Sequence, residues 1–324
     1  MPRVLVAGKI HVSGLGLLRD APGVSLDYVE DTGDAALRAH LPRAEAVILR
    51  TQTLDAGAIA SAPDLRVVSR HGVGYDAVDV AALSDRGIPL TVVGDVNSGS
   101  VAEHTMMLIL ACARRLTRAD RAVRTGNWAY RDQLDSHDLA DAGLLVIGMG
   151  RIGRRVAALG DAFGMSVTGF DPNVAADAVD GVPLASDLSA ALPRADFVTL
   201  HVPRTDGPVL GEAELALLPR GAVVVSAARG GVVDEDALEA ALGSGQVAAA
   251  GLDVFAEEPP SSDHPLFRHD AVICTPHSAG LTEECAGRMA RAAAQNVLDC
   301  FAGRLDPALV VNAASVLRPS GGDD

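Results

Sequence analysis

The chain has 324 residues, of which 48% are hydrophobic, so it is long enough for two globular domains that each bury a core. Its net charge of −15 argues against nucleic-acid binding, which depends on the neutralisation of phosphates by lysine and arginine. The apolar stretches are too short to span a bilayer and the opening MPRVLVAGKI lacks the features of a secretory signal, so we expect a cytoplasmic protein that binds no membrane.

The first hundred residues predict a small α/β domain. Short apolar runs bounded by turn residues indicate buried strands. The runs are RVLVA (3–7), AVILR (46–50), LRVVS (65–69) and IPLTV (88–92). The spacing Ser100-Val-Ala-Glu103 is that of a capping box, and it predicts a long apolar helix that begins there and continues to about Thr117.

From Leu144 onward, apolar β-branched runs alternate with helical segments, which favours a parallel, doubly wound sheet. The runs lie at 144–148, 166–171, 196–201, 222–227, 247–253 and 271–276. Ligands bind beyond the carboxyl ends of the strands in such sheets, so the polar residues that end these runs are site candidates. A last helix is predicted from Thr282 to near Gly303, and it could return the chain to the first domain.

Gly148-Met149-Gly150-Arg151-Ile152-Gly153 is a GxGxxG motif between a predicted strand and a predicted helix. Its glycines permit a tight turn that brings a pyrophosphate to the helix N-terminus. Asp171 follows Gly153 by 18 residues, at the end of the next predicted strand, where a carboxylate can accept hydrogen bonds from ribose hydroxyls. Since this carboxylate would repel a 2′-phosphate, the motif predicts NAD rather than NADP. The alternative is a glycine-rich turn and an Asp-Pro turn without a ligand.

Two further strand ends carry side chains suited to the chemistry of a keto acid. Arg229, in SAARGGVVDE, can hold a carboxylate through two parallel hydrogen bonds, although a surface ion pair is the alternative. His277 follows the last predicted strand, and histidine suits proton transfer near neutral pH. A carboxylate on its other ring nitrogen would favour the protonated form. Glu257 and Glu258 both qualify, and spacing does not choose between them.

The four cysteines form no CxxC pair, and no His/Cys cluster has zinc spacing. We therefore expect reduced, structural thiols and no metal site.

Several motifs together, in their order along the chain, resemble those of the D-isomer-specific 2-hydroxyacid dehydrogenase family, most closely its phosphoglycerate dehydrogenase branch in the short form without a regulatory domain. The motifs are RHGVGYDAVDV (70–80), VAEHT (101–105), GMGRIG (148–153), HVP (201–203), ARGGVVDE (228–235), LDVFAEEPP (252–260) and TPH (275–277). One departure is Ser226, which stands where the family usually has asparagine.

The resemblance implies a role for each residue that matches a motif. Arg229 is expected to bind the substrate carboxylate, with His277 as acid/base and Glu258 as its partner. Asp253 is expected to contact the nicotinamide amide. The cofactor set that the resemblance and the glycine motif give together is Gly148, Gly150, Arg151, Ile152, Gly153, Asp171, His201, Val202, Pro203, Ala227, Ala228, Asp253, Ala279 and Gly280. The expected substrate contacts are Arg50, Arg70, Val73 and Gly74.

The resemblance and the strand pattern together predict two doubly wound α/β domains. A Rossmann NAD-binding domain (98–281) is inserted in a flavodoxin-like substrate domain (1–97 and 282–324). Family likeness also implies a homodimer, formed by the apolar helix from about Ser100 and the following segment with Trp128.

The predicted function is NAD-dependent interconversion of a small D-2-hydroxy acid and its 2-keto acid, with 3-phosphoglycerate, hydroxypyruvate or glyoxylate as substrate classes. The alternative from another class is an NAD(H)-sensing, corepressor-like binding protein on the same fold. Formate oxidation on this scaffold is the least favoured alternative.

Overall fold

The apolar runs of the chain form two parallel β-sheets in the computed structural model, which describes residues 1–175, 179 and 181–317. In chain order the strands are β1 (Arg3–Ala7), β2 (Ser25–Val29), β3 (Ala46–Leu49), β4 (Val67–Arg70), β5 (Leu90–Thr91), β6 (Gly143–Ile147), β7 (Ser166–Phe170), β8 (Phe197–Leu200), β9 (Ala222–Ser226), β10 (Val247–Leu252) and β11 (Val272–Cys274). The α-helices are α1 (Val12–Asp20), α2 (Asp34–His40), α3 (Ala56–Ala60), α4 (Val80–Asp85), α5 (Ser98–Ala113), α6 (Leu116–Arg124), α7 (Arg151–Ala162), α8 (Leu188–Ala191), α9 (Glu212–Leu217), α10 (Glu235–Ser244), α11 (Glu283–Phe301) and α12 (Ala313–Val316).

The chain divides into two compact units. The first comprises Met1–Asn97 together with Leu281–Asp324, and the second is Ser98–Gly280. The second unit is therefore inserted between two stretches of the first. The sequence placed the inserted domain at 98–281. The far end of the chain, 318–324, lies outside the described residues.

The first unit has the strand order β2-β1-β3-β4-β5, with every pair parallel. This is the flavodoxin-like order. Apolar side chains of α1 and α11 pack on one face of the sheet, and those of α2, α3 and α4 pack on the other. Helix α11 begins after Thr282, whose hydroxyl accepts a hydrogen bond from the N–H of Cys285 as an N-cap.

The second unit has the strand order β11-β10-β9-β8-β6-β7, also parallel throughout. A single parallel bridge from Gly169 to Leu184 extends the sheet beyond β7. With that bridge included, the strand order is that of a Rossmann sheet in which the bridge at Leu184 takes the place of the strand beyond β7. Helices α5 and α7 cover one face and α9 and α10 the other, which confirms the predicted doubly wound α/β class.

Helix α5 differs from its prediction at both ends. It begins at Ser98, so Ser100 lies inside the helix and does not cap it. Several small and polar residues precede the apolar run, and a spacing rule alone does not select among them. The helix ends at Ala113 because Arg115 takes a left-handed conformation with φ of 50°, after which α6 starts in a new direction.

The apolar surface of α5 is used mainly inside its own unit. Its side chains pack against β9, β10 and α7, and Met107 is the large apolar residue that stays exposed. An apolar helix can be covered by its own sheet in this way. The homodimer that the resemblance implies, with this helix and the following segment at its interface, therefore stays a prediction. Among the described residues, no helix is at once long enough and apolar enough to cross a membrane.

Candidate active site

The glycine turn after β6 is shaped by close contacts between main chains. A Cβ atom at Gly153 would lie 1.9 Å from the carbonyl oxygen of Gly148, and one at Gly148 would lie 2.6 Å from that of His201. Gly148 also has φ of +92°, which favours glycine. Helix α7 then begins at Arg151 with Gly150 as its N-cap. The turn therefore presents the N-terminus of a three-turn helix, with free N–H groups suited to a pyrophosphate.

Asp171 follows β7 and lies beside this turn. One carboxylate oxygen, Oδ2, accepts a hydrogen bond from the N–H of Met149 at 2.9 Å, and Oδ1 accepts one from the N–H of Asn173 at 2.9 Å. Each oxygen has a further lone pair, so the carboxylate can still accept bonds from two ribose hydroxyls. The sequence prediction that the glycine turn and an acidic residue share one end of the sheet matches this geometry.

The segment of His201, Val202 and Pro203 follows β8 and borders the same turn. The N–H of His201 donates to the carbonyl of Ile147 at 2.7 Å. Its ring Nε2 lies 3.1 Å from the hydroxyl oxygen of Thr199, and burial lowers the pKa of His201 to about 3, so the ring is neutral. Within the part of the chain described, its buried Nδ1 has no hydrogen-bond partner. A buried nitrogen without a partner calls for a polar ligand, and it lies beside the glycine turn, which has room for a pyrophosphate. Both features fit a bound dinucleotide.

Arg229 lies in the turn after β9, preceded by Ala227 and Ala228, which are buried. Its Nη1 donates to the carbonyl of Ala228 at 2.7 Å. The positive charge of Arg229 lowers the pKa of both Glu258 and His277, so the guanidinium is within electrostatic reach of that pair. The structure thus brings together the three residues that the sequence proposed for the chemistry.

His277 and Glu258 form a direct pair, with 2.7 Å between Nδ1 and Oε2. The hydrogen bond to Glu258 raises the pKa of His277, against the opposing effect of burial, and the charge of Asp253 acts in the same direction as Glu258. Burial raises the pKa of Glu258, but the bonds from His277 and from the N–H of Phe255 outweigh it, and the pKa is lowered overall. Since Nδ1 is engaged by the carboxylate, Nε2 is the atom that can pass a proton to a ligand. Glu257 is exposed.

The carboxylate of Asp253, which is 1% exposed, organises the turn that carries His277. Its Oδ1 accepts bonds from the hydroxyl of Thr275 at 2.5 Å and from the N–H of Ser278 at 2.8 Å, while Oδ2 accepts one from the N–H of Ala279 at 2.9 Å. The carbonyl of Asp253 accepts a bond from the N–H of His277 at 2.8 Å. His277 itself has φ of 50°, a left-handed conformation that these contacts on both sides of it hold.

The sequence reasoning missed His104, on α5. Its Nε2 lies 2.9 Å from the hydroxyl oxygen of Thr275 and 3.5 Å from Oδ1 of Asp253, so it contacts both members of the Thr275–Asp253 hydrogen bond. The histidine was visible in the VAEHT motif, but 171 residues separate it from Thr275, and no local pattern connects them.

The four expected substrate residues all belong to the first unit, at the carboxyl ends of β3 and β4. Arg70 donates through Nε to the carbonyl of Gly74 at 2.6 Å, and through Nη1 to the carbonyls of Leu49, at 2.9 Å, and Arg50. Arg50 donates to the carbonyl of Lys9 at 3.0 Å. Arg70 therefore fastens the loop of Val73 and Gly74 to the end of β3, a structural role that the sequence did not suggest.

The second unit thus has the features of a dinucleotide-binding α/β domain that carries an arginine and a histidine–carboxylate pair at strand ends. Residues 106–279 match the model of the D-isomer specific 2-hydroxyacid dehydrogenase, NAD binding domain. The chain belongs to this family, which confirms the resemblance seen in its motifs, and NAD is the cofactor of the domain.

Named relatives match most of the chain. It is 37% identical over 306 residues to a D-3-phosphoglycerate dehydrogenase of Archaeoglobus fulgidus, covering 93% of the chain but 58% of that protein. It is 35% identical over 334 residues to a glyoxylate reductase of Korarchaeum cryptofilum, covering 99% of each. The structure of D-lactate dehydrogenase from Aquifex aeolicus, complexed with NAD and lactic acid, is similar with a TM-score of 0.85 at 29% identity, covering 98% of this chain and 100% of that one. The chain therefore spans little more than half the length of the phosphoglycerate dehydrogenases that it matches.

Proposed function

We propose that this chain is an NAD-dependent dehydrogenase that interconverts a small D-2-hydroxy acid and its 2-keto acid. The observation that carries the proposal is the pair of His277 and Glu258, at 2.7 Å, within electrostatic reach of Arg229 on the unit that carries the glycine turn. Family membership supports the class of reaction.

In the direction of reduction, NADH would supply, when bound, the hydride for the carbonyl carbon of the keto acid. Nε2 of protonated His277 gives its proton to the carbonyl oxygen, which becomes the hydroxyl, so that one keto acid, one NADH and one proton yield one hydroxy acid and one NAD. Glu258 keeps the ring oriented and stabilises its charged form until the transfer. Arg229 holds the substrate carboxylate and thereby limits the freedom of the reacting carbon.

The residues that hold the cofactor are those of the glycine turn and its neighbours. Gly148, Gly150 and Gly153 would admit a pyrophosphate to the N-terminus of α7, whose first turn contains Arg151 and Ile152. Asp171 would accept hydrogen bonds from the ribose hydroxyls. We assign the nicotinamide end of the cofactor to Asp253 and to the main chain of Ala279 and Gly280. The part of the cofactor between the pyrophosphate and the nicotinamide is assigned to the 201–203 segment, Ala227 and Ala228.

For the substrate, we propose 3-phosphoglycerate or a related acid such as hydroxypyruvate or glyoxylate. The names of the relatives support both groups, one being a D-3-phosphoglycerate dehydrogenase and another a glyoxylate reductase. Arg50 and Arg70 are the candidate phosphate contacts, and the main-chain donors of Val73 and Gly74 are the candidate contacts of the carboxylate. The bonds of Arg70 to main-chain carbonyls favour Arg50 as the better phosphate ligand of the two.

The test is a panel of 2-keto acids and D- and L-hydroxy acids, each assayed with NADH or NAD and with NADPH or NADP. We expect turnover of at least one keto acid with NADH and of the D-hydroxy acid in reverse, and loss of both in Arg229→Gln. Tight NADH binding without turnover of any acid in the panel would instead favour the NAD-sensing, corepressor-like alternative.

We also propose that the protein acts as a homodimer in the cytoplasm. The stretch after α5 exposes four large apolar side chains, with Leu116 56%, Val123 60%, Trp128 68% and Leu134 87% accessible, and exposed apolar surface of this kind is suited to contact with a second copy of the chain. All four cysteines are free thiols, which suits a reducing compartment. Light scattering should give a dimer at micromolar concentration, and Trp128→Asp with Leu134→Asp should give a monomer; a monomeric wild type would refute the proposal.

A further inference from the structure

The segment that carries Glu258, residues 254–264, is fastened to the start of helix α10 at two points by one side chain. Oε1 of Glu235 accepts a hydrogen bond from the N–H of Ala256 at 2.7 Å. Its Oε2 lies 3.1 Å from Nε2 of His264, at the other end of the segment. Both side chains are 17% exposed, so solvent competes little for these bonds.

The tautomer of His264 follows from its second nitrogen. Nδ1 accepts a hydrogen bond from the N–H of Leu266, where it caps a short 3₁₀ turn, so the ring proton resides on Nε2 and is donated to Glu235. The ring also packs edge-on against Phe255, with centroids 5.7 Å apart, and lies 5.2 Å from Phe267. His264 is thus fixed on both nitrogens and on its faces.

The bond from Ala256 to Glu235 lies next to the residue that holds Glu258 in place. The N–H of Phe255 donates to Oε1 of Glu258 at 3.0 Å, and Ala256, which Glu235 binds, is the next residue. On the opposite side, Gly230 lies so close to the carbonyl of Phe255 that a Cβ atom there would be 1.7 Å away. The main chain at 255–256 is therefore held between the turn of Arg229 and the first turn of α10.

We propose that Glu235 is a positioning residue for the acid/base pair: by holding Ala256 and His264, it fixes the segment that presents Glu258 to His277. This inference rests on the proposed function, because it assigns Glu258 and His277 to proton transfer. Glu235 does not touch the substrate and acts only through the segment.

The same helix offers a matched control. One turn further along α10, Glu239 pairs with His269, again at 3.1 Å between Oε1 and Nε2. The residue types, the helix and the distance are the same, but His269 lies five residues beyond the end of the segment. Glu235→Ala and Glu239→Ala therefore each remove a glutamate–histidine contact between helix and loop, but only Glu235→Ala also removes the bond to Ala256 in the Glu258 segment.

For Glu235→Ala we expect kcat of keto-acid reduction to fall about 10- to 100-fold, since a misplacement of about 1 Å at a reacting group can cost 10²-fold. Glu258 and Asp253 raise the pKa of His277, and Arg229 lowers it. When the contact with Glu258 weakens, the pKa of His277 should fall, so the alkaline limb of the pH profile should move to lower pH. The dissociation constant for NADH should not change. Glu239→Ala should leave kcat and the pH profile as in the wild type.

Two milder variants separate position from charge and cover the case in which Glu235→Ala does not fold. Glu235→Gln removes the charge and loses the bond from Nε2 of His264, but it keeps an oxygen for the N–H of Ala256. It should therefore retain clearly more activity than Glu235→Ala; a Gln variant as impaired as the Ala variant would overturn the proposal in favour of a charge effect. His264→Asn can still cap the 3₁₀ turn but cannot reach Glu235, so it should show a smaller loss of the same kind.

A measurement without turnover distinguishes failure of this inference from failure of the proposed function. The titration of the His277 ring is followed by NMR with labelled histidine, assigned by the signal lost in His277→Gln. A lower titration midpoint in Glu235→Ala or His264→Asn, with none in Glu239→Ala, supports the inference even if no substrate is turned over. An unchanged midpoint in both folded variants, or the same change in Glu239→Ala, overturns it.

Discussion

Replacement of His277 by glutamine removes the group that we expect to protonate the substrate. Nδ1 of the ring is bound to Glu258, so Nε2 is the atom that donates. A positioned proton donor contributes about 10²–10⁴ in rate. The side chain is 54% exposed, so water can reach this position and replace part of the lost function. We therefore expect the lower part of that range, a fall in kcat of about 10²–10³, equivalent to about 2.7–4 kcal/mol in the barrier.

The assay follows the disappearance of NADH with the best keto acid of the panel, beside the dissociation constant of NADH from fluorescence and the melting temperature. NADH should bind as in the wild type, because the glycine turn and Asp171 are unchanged. A deuterated hydride donor should show whether hydride transfer limits kcat in the variant. If His277→Gln reduces keto acids at a near-normal rate while Glu257→Gln is inactive, the acid/base pair has been misassigned.

Three further predictions test other parts of the site. In Glu258→Gln the pKa of His277 should fall, because the bond to Glu258 raises it; reduction needs the protonated ring, so its alkaline limb should move to lower pH, and an alkaline limb at the wild-type pH would contradict the pairing. Gly153→Ala should lower the melting temperature, because the new Cβ would lie 1.9 Å from a carbonyl oxygen. Gly150→Ala, whose Cβ would meet no described atom within 4 Å, should melt as the wild type but bind NADH more weakly. Equal melting temperatures in the two variants would speak against these roles. The wild type should prefer NADH to NADPH by kcat/KM, and Asp171→Ala should narrow the difference by removing a charge that repels a 2′-phosphate; equal values for both cofactors in the wild type would refute the role of Asp171.

The apolar runs of the sequence predicted every strand except β2. The six runs from Leu144 onward each contain a strand. The central ones, such as β8 and β9, were the clearest, because a parallel strand covered on both faces is apolar throughout. Strand β2 (Ser25–Val29) escaped notice because it pairs only with β1 at the edge of its sheet and is partly buried along its whole length, which permits Ser25 and Asp27. The bridge at Leu184 is shorter still and has no periodicity to detect.

Within the site, the residues at strand ends were predictable and their supports were not. Parallel strands end at one edge of a sheet, so Asp171, Arg229 and His277 could be placed from the strand pattern alone. The choice of Glu258 over Glu257 depends on the path of an irregular loop, which spacing does not encode. Glu235 and His264 were invisible for a similar reason, since their pairing joins a helix to a loop 29 residues later.

The left-handed backbone at His277 limits which residues can occupy that position, whatever the chemistry requires. At φ of 50°, histidine, asparagine and aspartate are tolerated far better than β-branched residues, and glycine meets no steric penalty. A library of all amino acids at position 277, sorted first for folded protein and then for turnover, should therefore give two different rankings. Asn and Gly variants should be abundant but inactive, while Val, Ile and Thr variants should be depleted before activity is ever measured. Tolerance at this position would then report the geometry of the turn, and only the second sort would report the proton donor.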